Sequence, residues 1–281
     1  MPTKVHDLLT ILQDIAPASL AESWDNVGLL VGSPDTPVTG LLIGLDPCSA
    51  VIDEAISNGC NLIITHHPVI FRPLKAVHTH TFPGNVIARA MQHNIALIGC
   101  HTNLDATSGG VSDILGQALG LGGMRPLIPN QGKSDCLQSC GLGRIGTCAT
   151  PMSAEAFVSL LYNALSPPWL LEAGLRPNSI ETVAVCGGSC GDFAETALQQ
   201  GADVFITAEI KHSVARWAEE AGLWLIDGGH FATEQPAVPV LGKRLQKEFD
   251  NLNISLPICF SRQAAPLSLV MPPIISTPES P

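Results

Sequence analysis

The sequence predicts an α/β protein of two similar α/β halves, derived from an internal duplication and packed together with a connecting segment. Apolar runs of strand length alternate with amphipathic segments of helix length along the 281 residues, which is the pattern of an α/β sheet. The same order of strands and helices then occurs a second time, as a duplication would leave it. Each half ends in a histidine that is followed four residues later by a carboxylate.

The first half is predicted to span residues 1–125. Residues 5–15 carry apolar side chains at helical spacing and stop before Pro17, which predicts an opening amphipathic helix. Buried strands are predicted at "GLLIGLD", "CNLIITHHP" and "IALIGCHTNLD", the last of which runs into a loop. Helices are predicted between these strands, at "SAVIDEAISNG" and "NVIARAMQHN".

The second half is predicted at residues 181–260 and repeats this order. Its strands are "TVAVCGG", "ADVFITAE" and "LWLIDGGHFATE", the last again running into a loop, and its helices are "DFAETALQQG" and "SVARWAEEAG". The connecting segment, residues 126–180, contains "GRIGTCATPMSAEAFVSLLYNAL", which predicts a strand, a turn and a helix in the sheet that packs the halves together. Residues 261–281 form a proline-rich tail, and about the last ten are predicted to be disordered.

Composition excludes two classes of partner. The net charge is −11, from 14 Lys+Arg and 25 Asp+Glu, and no basic stripe occurs, so nucleic acid is not expected to bind. The longest apolar runs fall far short of the ~20 residues of a membrane helix, and the first residues lack the basic front of a signal peptide.

Because 46% of residues are apolar and only 14% charged, the chain is expected to bury surface in a homo-oligomer.

The nine cysteines predict reduced thiols in a cytoplasmic protein, since an odd number in a chain of this length does not fit a disulfide framework. Cys136/Cys140 and Cys186/Cys190 are both spaced C-x3-C, which is wider than the C-x2-C of zinc knuckles. Structural thiols are therefore favoured over a thiolate metal site.

A matching pair of residues closes each half. Laying one half over the other places "GCHTNLD" on "GGHFATE", so that His101 corresponds to His230 and Asp105 corresponds to Glu234. Both pairs follow the carboxyl end of a predicted strand, where open α/β sheets bind their ligands. A lone H-x3-D/E motif would mean little, but its recurrence at the same point of both halves indicates a shared site.

Two adjacent histidines, His66 and His67, end a strand of the first half in "THHP". Adjacent strand side chains point to opposite faces, so each histidine is expected to serve one of two neighbouring ions. With Asp105, His230 and Glu234 they make three imidazoles and two carboxylates, a set that suits zinc, iron or manganese. A single histidine at a strand end is more often a hydrogen-bonding residue. Five candidate ligands at matching strand ends favour a metal site.

A glycine-rich turn, "CGGSCGDF" at residues 186–193, lies between a predicted strand and helix. The backbone N–H groups of Gly187, Gly188 and Ser189 could bind a phosphate, although the pattern alone favours an ordinary tight turn. Another segment, "ESWDNVGLLVG" at residues 22–32, is by itself only a polar turn before a strand.

Six segments together resemble the motifs of the GTP cyclohydrolase I type 2 family, also known as the NGG-interacting-factor-like dinuclear metal proteins. They are "WDNVGLLVG", "ITHHPVIF", "HTNLDA", "CGGSCGDF", "DVFITAEIKH" and "GGHFATEQ", and the resemblance covers roughly residues 5–255. Ala208 stands where the family usually has glycine, and Cys190 interrupts its usual glycine-rich turn. The resemblance implies an α/β fold of two similar halves that assembles as a toroidal homohexamer.

The resemblance also implies a dinuclear centre with two divalent metal ions per chain. By resemblance, His66, His67, Asp105, His230 and Glu234 take the metal positions, and Glu234 bridges the two ions. Because adjacent strand residues diverge, His66 is expected to join His230 at one ion, while His67 joins Asp105 at the other.

The activity that the resemblance implies is hydrolysis of a nucleotide, as in a GTP cyclohydrolase that opens the guanine imidazole ring with metal-activated water. His101, which by resemblance lines the site, is expected to carry the proton, so His101 and Glu234 are the catalytic candidates. Arg72, Lys75 and Lys211 lie nearest the motifs and are candidates to hold phosphates. Two other functions stay open: a non-catalytic metal-binding hexamer for storage, delivery or scaffolding, and a dinuclear phosphoesterase or amidohydrolase.

Overall fold

A computed structural model describes residues 2–130 and 139–271 and contains two sheets. The strands are β1 (Gly28–Val31), β2 (Leu41–Gly44), β3 (Leu62–Thr65), β4 (Ala96–Gly99), β5 (Gly122–Pro129), β6 (Gly141–Met152), β7 (Leu171–Ala173), β8 (Ile180–Val185), β9 (Val204–Thr207), β10 (Trp224–Asp227) and β11 (Ile258–Phe260). The helices are α1 (Val5–Ile15), α2 (Ser49–Ser57), α3 (Gly84–Gln92), α4 (Thr102–Ala106), α5 (Val111–Ala118), α6 (Ala154–Leu165), α7 (Ala194–Gln199), α8 (His212–Ala221), α9 (His230–Glu234) and α10 (Ala237–Leu252). No helix in these described ranges has both the length and the apolar character of a membrane span.

The first sheet has five strands in the order β1-β4-β3-β2-β11. β2, β3 and β4 are parallel, and β1 pairs antiparallel with β4 at one edge. Leu41 and Ile43 of β2 pack into one core cluster, whereas Leu42 packs into the cluster on the opposite face. Because both faces are covered, these strands are continuous apolar runs without polar alternation, as parallel sheets require.

The second sheet has six strands in the order β5-β6-β8-β9-β10-β7. β8, β9 and β10 are parallel and repeat the arrangement of β2, β3 and β4, while the other three strands pair antiparallel at the two sides. The predicted strand, turn and helix of the connecting segment correspond to β6 and α6. The connecting segment therefore extends the sheet of the second half, and the two-halved α/β fold is confirmed.

The last helix and strand cross back to the first sheet. Leu241 and Leu245 of α10 pack in the core cluster that contains Val5 of α1 and Leu41 of β2. The chain then pairs β11 in parallel with β2, with Ile258 opposite Leu41. Residues 237–260, which the sequence assigns to the second half, thus complete the first sheet, because α10 buries its apolar face against the core of that sheet.

Part of the proline-rich tail packs beside β2. The Gln263 side chain accepts hydrogen bonds from the backbone N–H groups of Leu45 and Asp46, at 2.9 and 3.1 Å, and donates one to the Asp46 carbonyl. The disorder predicted for the end of the chain falls on residues 272–281, which lie outside the described residues, as does Cys136. Cys48, Cys60, Cys100, Cys148, Cys186, Cys190 and Cys259 are free thiols.

Candidate metal centre

The candidate site forms where the carboxyl ends of three strands approach one another. Residues 66–67 directly follow β3, the pair His101/Asp105 lies at α4 after β4, and the pair His230/Glu234 lies at α9 after β10. The sequence predicts loops after β4 and β10, but the structure has one short helix at each place. A spacing of four residues is one helical turn, so each histidine lies on the same face as its carboxylate.

The side chains meet in two groups that share Glu234. In the first group, His66 Nε2 lies 3.6 Å from Asp105 Oδ1 and 3.6 Å from Glu234 Oε1. In the second, His67 Nε2 lies 3.1 Å from Glu234 Oε2 and 3.2 Å from His230 Nε2. His230 Nε2 also lies 3.2 Å from Glu234 Oε2. Glu234 therefore faces one group with each carboxylate oxygen.

The partners of the adjacent histidines differ from the sequence expectation. The rings of His66 and His67 lie side by side, with centroids 5.0 Å apart, so the predicted divergence to opposite faces was wrong. His66 meets Asp105 and His67 meets His230, so the expected pairing was also wrong. His66 is the buried member and turns toward the neighbouring β4 and α4 of its own sheet, where Asp105 lies. His67 is the more exposed member and reaches across to the second half. Both histidines follow the last residue of β3, Thr65, so the alternation of strand side chains does not extend to them.

Every histidine of the site has its Nδ1 atom hydrogen-bonded to an acceptor. Because a carbonyl or carboxylate oxygen can only accept, each Nδ1 donates, so that in the neutral ring Nε2 keeps its lone pair, as metal-binding histidines require. The pairs are His66 with the Cys100 carbonyl (2.9 Å), His67 with Asp46 Oδ1 (2.7 Å), His101 with Asp25 Oδ1 (2.9 Å) and His230 with Glu209 Oε1 (2.9 Å).

Three buried polar atoms in this cluster have no hydrogen-bond partner: His66 Nε2, Asp105 Oδ1 and Glu234 Oε2. A buried polar atom without a partner is costly, and cations bound among these three atoms would satisfy them. Ligand atoms of His67, His230 and Glu234 all lie within 4.8 Å of one another, as do those of His66, His67 and His101. The donors are nitrogen and oxygen only, which fits zinc, iron or manganese.

The electrostatics of the cluster favour positive charge. Burial alone would lower the pKa of His67, but hydrogen bonds with Asp46 and Glu234 outweigh it and raise the pKa to about 10. Burial would likewise raise the pKa of Glu234, but the surrounding imidazoles, His66 foremost, hold it well below its usual value. Burial raises the pKa of Asp105, and the charge of Glu234 adds to this. The site therefore attracts cations, whether protons or metal ions.

The glycine-rich turn after β8 gives Glu234 its space. A Cβ atom on Gly188, where φ is +73°, would lie 2.2 Å from Glu234 Oε1, so only glycine fits there. The N–H of Gly188 donates to Thr233 Oγ1, and that of Cys190 donates to Thr207 Oγ1, each at 3.1 Å. With these two donors already used, phosphate binding by Gly187, Gly188 and the exposed Ser189 stays a prediction.

His101 lies at the rim of the cluster, oriented by a residue that sequence reasoning missed. Asp25 has a fully buried carboxylate that accepts hydrogen bonds from His101 Nδ1 and from the Thr102 backbone N–H, at 2.9 and 3.0 Å. Burial would raise the pKa of Asp25, but these hydrogen bonds hold it well below its usual range. Asp25 precedes its partner by 76 residues, so no local pattern could reveal the contact. Its only sequence signal is the "WDN" segment.

A cleft of about 540 Å³ opens onto the cluster from one side. Its walls include His67, His101, Asp105, His230 and Glu234, together with residues of the glycine-rich turn and two aromatic side chains. A smaller cavity of about 260 Å³ reaches His67 and His230 from the other side. The larger cleft is within the range of small-molecule binding sites.

Comparison with known proteins places the chain in a family. The family model described as Duf34/NIF3 (NGG1p interacting factor 3) matches residues 3–266. A Clostridium acetobutylicum protein named GTP cyclohydrolase 1 type 2 homolog is 34% identical over 93% of this chain and 97% of its own length. A Streptomyces coelicolor protein of the same name is 36% identical over 83% of this chain and 82% of its own length.

Solved structures agree with this relationship. A Staphylococcus aureus hypothetical protein, known from a crystal structure, superposes with a TM-score of 0.90 at 32% identity, over 96% of this chain and 100% of that one. The family resemblance predicted from the sequence motifs is therefore confirmed, and so is the fold of two similar α/β halves. The chain belongs to the DUF34/NIF3 family, whose members include proteins named GTP cyclohydrolase 1 type 2 homolog.

Proposed function

We propose that this chain is a dinuclear divalent-metal-dependent hydrolase that acts on a nucleotide, with ring opening of GTP as the first reaction to test. The observation that carries the proposal is the position of Glu234. Its Oε1 atom lies 3.6 Å from His66 Nε2, and its Oε2 atom lies 3.1 Å from His67 Nε2. A carboxylate that faces two imidazole groups in this way suits two neighbouring ions. The name of the clostridial relative, GTP cyclohydrolase 1 type 2 homolog, supports GTP as the substrate.

Five side chains would hold the two ions. His66 and Asp105 would hold one ion with Glu234, and His67 and His230 would hold the other, again with Glu234. Bound ions would supply the Lewis acidity that activates water and polarises the carbon under attack. Five residues cannot complete the coordination of two ions, so positions remain for water and substrate.

His101 is the proton carrier in this proposal. Its Nδ1 donates to Asp25 Oδ1 at 2.9 Å, which orients the ring and leaves Nε2 able to accept or release a proton in the cleft. Its ring centroid lies 5.5 Å from that of His67, close to the ligand cluster. Asp25 is a positioning residue, since it acts only through His101.

We further propose that the protein is a cytoplasmic homohexamer. Charged residues make up only 14% of the chain, and large apolar side chains such as Leu171 and Leu175 are 59% and 72% exposed. Such surface is expected to be buried between subunits. Light scattering tests this, because a mass near the 29.5 kDa of one chain at micromolar concentration would contradict an oligomer.

The activity is tested with protein loaded with zinc, iron or manganese and incubated with GTP. Hydrolytic opening of the imidazole ring adds the mass of one water, which mass spectrometry detects. Glu234→Gln should abolish turnover, because the shared carboxylate is lost, while light scattering and circular dichroism stay unchanged. Glu220→Gln alters an exposed glutamate of α8 and serves as the matched control.

The result separates the proposed hydrolase from the other functions. Absence of GTP turnover with every metal, in protein that binds two ions, would favour the non-catalytic metal-binding hexamer. Hydrolysis of phosphate esters or amides in place of the guanine ring would favour the phosphoesterase or amidohydrolase. Equal turnover by wild type and Glu234→Gln would show that the cluster takes no part in the reaction.

A further inference from the structure

Two large aromatic side chains remain exposed at the mouth of the larger cleft. Trp24 is 58% exposed and Phe71 is 43% exposed, and both line the cleft that contains the ligand cluster. Burial of large aromatic side chains stabilises a fold. Two such side chains left exposed beside a polar site therefore indicate a surface that binds a ligand.

The two residues that follow Trp24 are anchored by hydrogen bonds. The Asp25 carboxylate accepts from His101 Nδ1 and the Thr102 backbone N–H. The Asn26 side-chain Nδ2 donates to the Ile70 carbonyl at 2.6 Å. That carbonyl directly precedes Phe71 in the chain, so one hydrogen bond links the segments that carry the two aromatic rings. The backbone segments that carry the two rings are therefore tied together.

The two rings also contact the catalytic side of the cleft. Trp24 and Phe71 have centroids 5.7 Å apart, and each packs edge-on against the imidazole of His101, at 6.2 and 5.9 Å. His101 in turn lies 5.5 Å from His67 of the ligand cluster. A flat molecule resting on Trp24 or Phe71 would thus have one edge directed toward His101 and the ions.

A cation stands over one of these rings, next to the cleft but not among the residues that line it. The Arg72 guanidinium lies 5.8 Å from the Phe71 ring centroid. A ligand with a planar ring and an anionic group would find a stacking surface and a positive charge side by side, and the cleft of about 540 Å³ is large enough for a nucleotide. Base stacking on an exposed aromatic side chain is a common way for proteins to bind a nucleobase.

We propose that Trp24 and Phe71, whose rings meet at 66°, form an aromatic platform on which the planar heteroaromatic ring of the substrate stacks against one ring and contacts the other edge-on, with Arg72 binding its anionic part. The identity of that ring as guanine rests on the proposed function. The platform itself rests on the exposure and position of the two aromatic side chains and on the link between the backbone segments that carry them. Trp24 and Phe71 are accordingly residues that determine substrate specificity.

The platform is tested by binding, separately from turnover. Metal-loaded protein is titrated by calorimetry with three probes: GTP, guanosine and inorganic tripolyphosphate. Trp24→Ala and Phe71→Ala should each weaken GTP and guanosine about tenfold or more, the effect of losing one stacked base, and leave tripolyphosphate unchanged. Trp24→Phe, which keeps an aromatic ring, should restore most of the affinity. Arg72→Ala should show the reverse pattern, weakening tripolyphosphate and GTP while sparing guanosine.

Two controls keep the result specific. Tyr162→Ala removes an aromatic ring of α6 that is 44% exposed, as exposed as Phe71 but absent from the cleft lining, and should leave all three probes unaffected. Guanine stacking should also quench tryptophan fluorescence in wild type, and this quenching should disappear in Trp24→Phe while binding persists.

The outcomes distinguish the platform from the proposed reaction. Guanosine binding that depends on Trp24, without GTP ring opening, supports the platform and overturns the cyclohydrolase reaction. Ring opening with the same KM in wild type and Trp24→Ala overturns the platform and leaves the reaction standing. A wild type that binds neither GTP nor guanosine also overturns the platform. So does a Trp24→Ala variant that dissociates the oligomer without changing guanosine affinity, since the ring would then be a subunit contact.

Discussion

The two halves place different residues at equivalent positions of their central strands. β3 ends in Thr65, followed by His66 and His67, and β9 ends in Thr207, followed by Ala208 and Glu209. The first half therefore supplies two candidate ligands at this point. The second half supplies a small buried residue and then Glu209, whose carboxylate accepts the hydrogen bond from His230 Nδ1.

The short helices after β4 and β10 differ in the same way. In α9, His230 and Glu234 both lie beside His67, whereas at α4 Asp105 lies beside His66, and His101, within 4.8 Å of His66 and His67, is oriented by Asp25. Neither half contains a complete set of ligands. The two halves therefore contribute different residues to one shared candidate site and do not form two equivalent sites.

The largest expected effect comes from breaking the buried contact between the halves. Arg144 of β6 is 1% exposed and binds Asp113 of α5 through two hydrogen bonds of 2.7 Å. It also donates to the Thr107 carbonyl just after α4, at 3.1 Å. Arg144→Ala should lower the free energy of unfolding by about 3–5 kcal/mol, because Asp113 is left without its buried partner. Chemical denaturation measures this loss.

The control for that variant is Arg216→Ala, which removes an exposed ion pair with Glu219. An exposed pair contributes at most about 1 kcal/mol, so this change should be small. Equal losses of stability in Arg144→Ala and Arg216→Ala would show that the halves do not depend on the buried pair.

The second-largest effect should distinguish Glu234, the candidate ligand shared by both groups, from Asp105, a candidate ligand of one group only. Glu234 contacts both imidazole groups, whereas Asp105 contacts only that of His66. Glu234→Ala should weaken both zinc sites by more than about 100-fold, since outer contacts alone are worth 10- to 100-fold. Asp105→Ala should weaken one site and spare the other. Zinc titration that counts the tight sites decides, and two intact sites in Glu234→Ala would refute the shared carboxylate.

A smaller effect should separate the two histidines that correspond across the halves. Glu209→Gln alters the acceptor of His230 Nδ1 and should weaken one zinc site about tenfold. Asp25→Asn alters the acceptor of His101 Nδ1 and should lower turnover while both zinc sites stay tight. Zinc titration and turnover are measured on both variants. If Asp25→Asn weakens zinc as much as Glu209→Gln, the two helices are equivalent after all.

The smallest expected effect is the dependence of the Tm of metal-free protein on pH. Hydrogen bonds with carboxylates outweigh burial and raise the pKa of His67 to about 10 and that of His230 to about 9. A histidine with a raised pKa contributes its full stability below its unfolded pKa of about 6.5 and loses it as the pH rises through the folded pKa. The Tm of metal-free protein should therefore fall between about pH 7 and pH 10.

Zinc should reverse this trend, because it binds the unprotonated rings. The rise in Tm caused by zinc should be larger near pH 9 than near pH 7, and thermal unfolding with and without zinc at both values measures it. A zinc effect that shrinks as the pH rises would mean that protons and metal do not compete for His67 and His230.

Most of the fold follows from the sequence because parallel strands buried on both faces leave continuous apolar runs. "GLLIG", "NLIIT" and "DVFIT" are such runs, and each becomes a central strand. The short helices α4 and α9 were expected as loops, since five residues are too few for a hydrophobic period. Their histidine and carboxylate at a spacing of one turn were the available signal. The three-residue β11 has no signal of its own, because its place beside β2 depends on where α10 packs.

The residues of the candidate site were likewise found where their sequence signal is local and missed where their position depends on the tertiary fold. His66, His67 and the two H-x3-acid pairs were found because they recur at strand ends, a local and repeated pattern. Asp25 and Asp46 were missed because each reaches its histidine only through the tertiary fold, across 76 and 21 residues of chain. The expected partners of His66 and His67 were wrong for a related reason, since both residues lie beyond the end of β3, where strand alternation no longer applies.

Because α10 and β11 return to the first sheet, that sheet cannot be completed until the second sheet has been synthesised. β2, whose residues Leu41–Gly44 are all buried, pairs on one side with β11 at residues 258–260. As the chain leaves the ribosome, this apolar edge has no partner until the whole second sheet has been translated. An open apolar edge is prone to aggregate. A premature stop codon in the second half therefore leaves an aggregation-prone fragment in place of a stable first half.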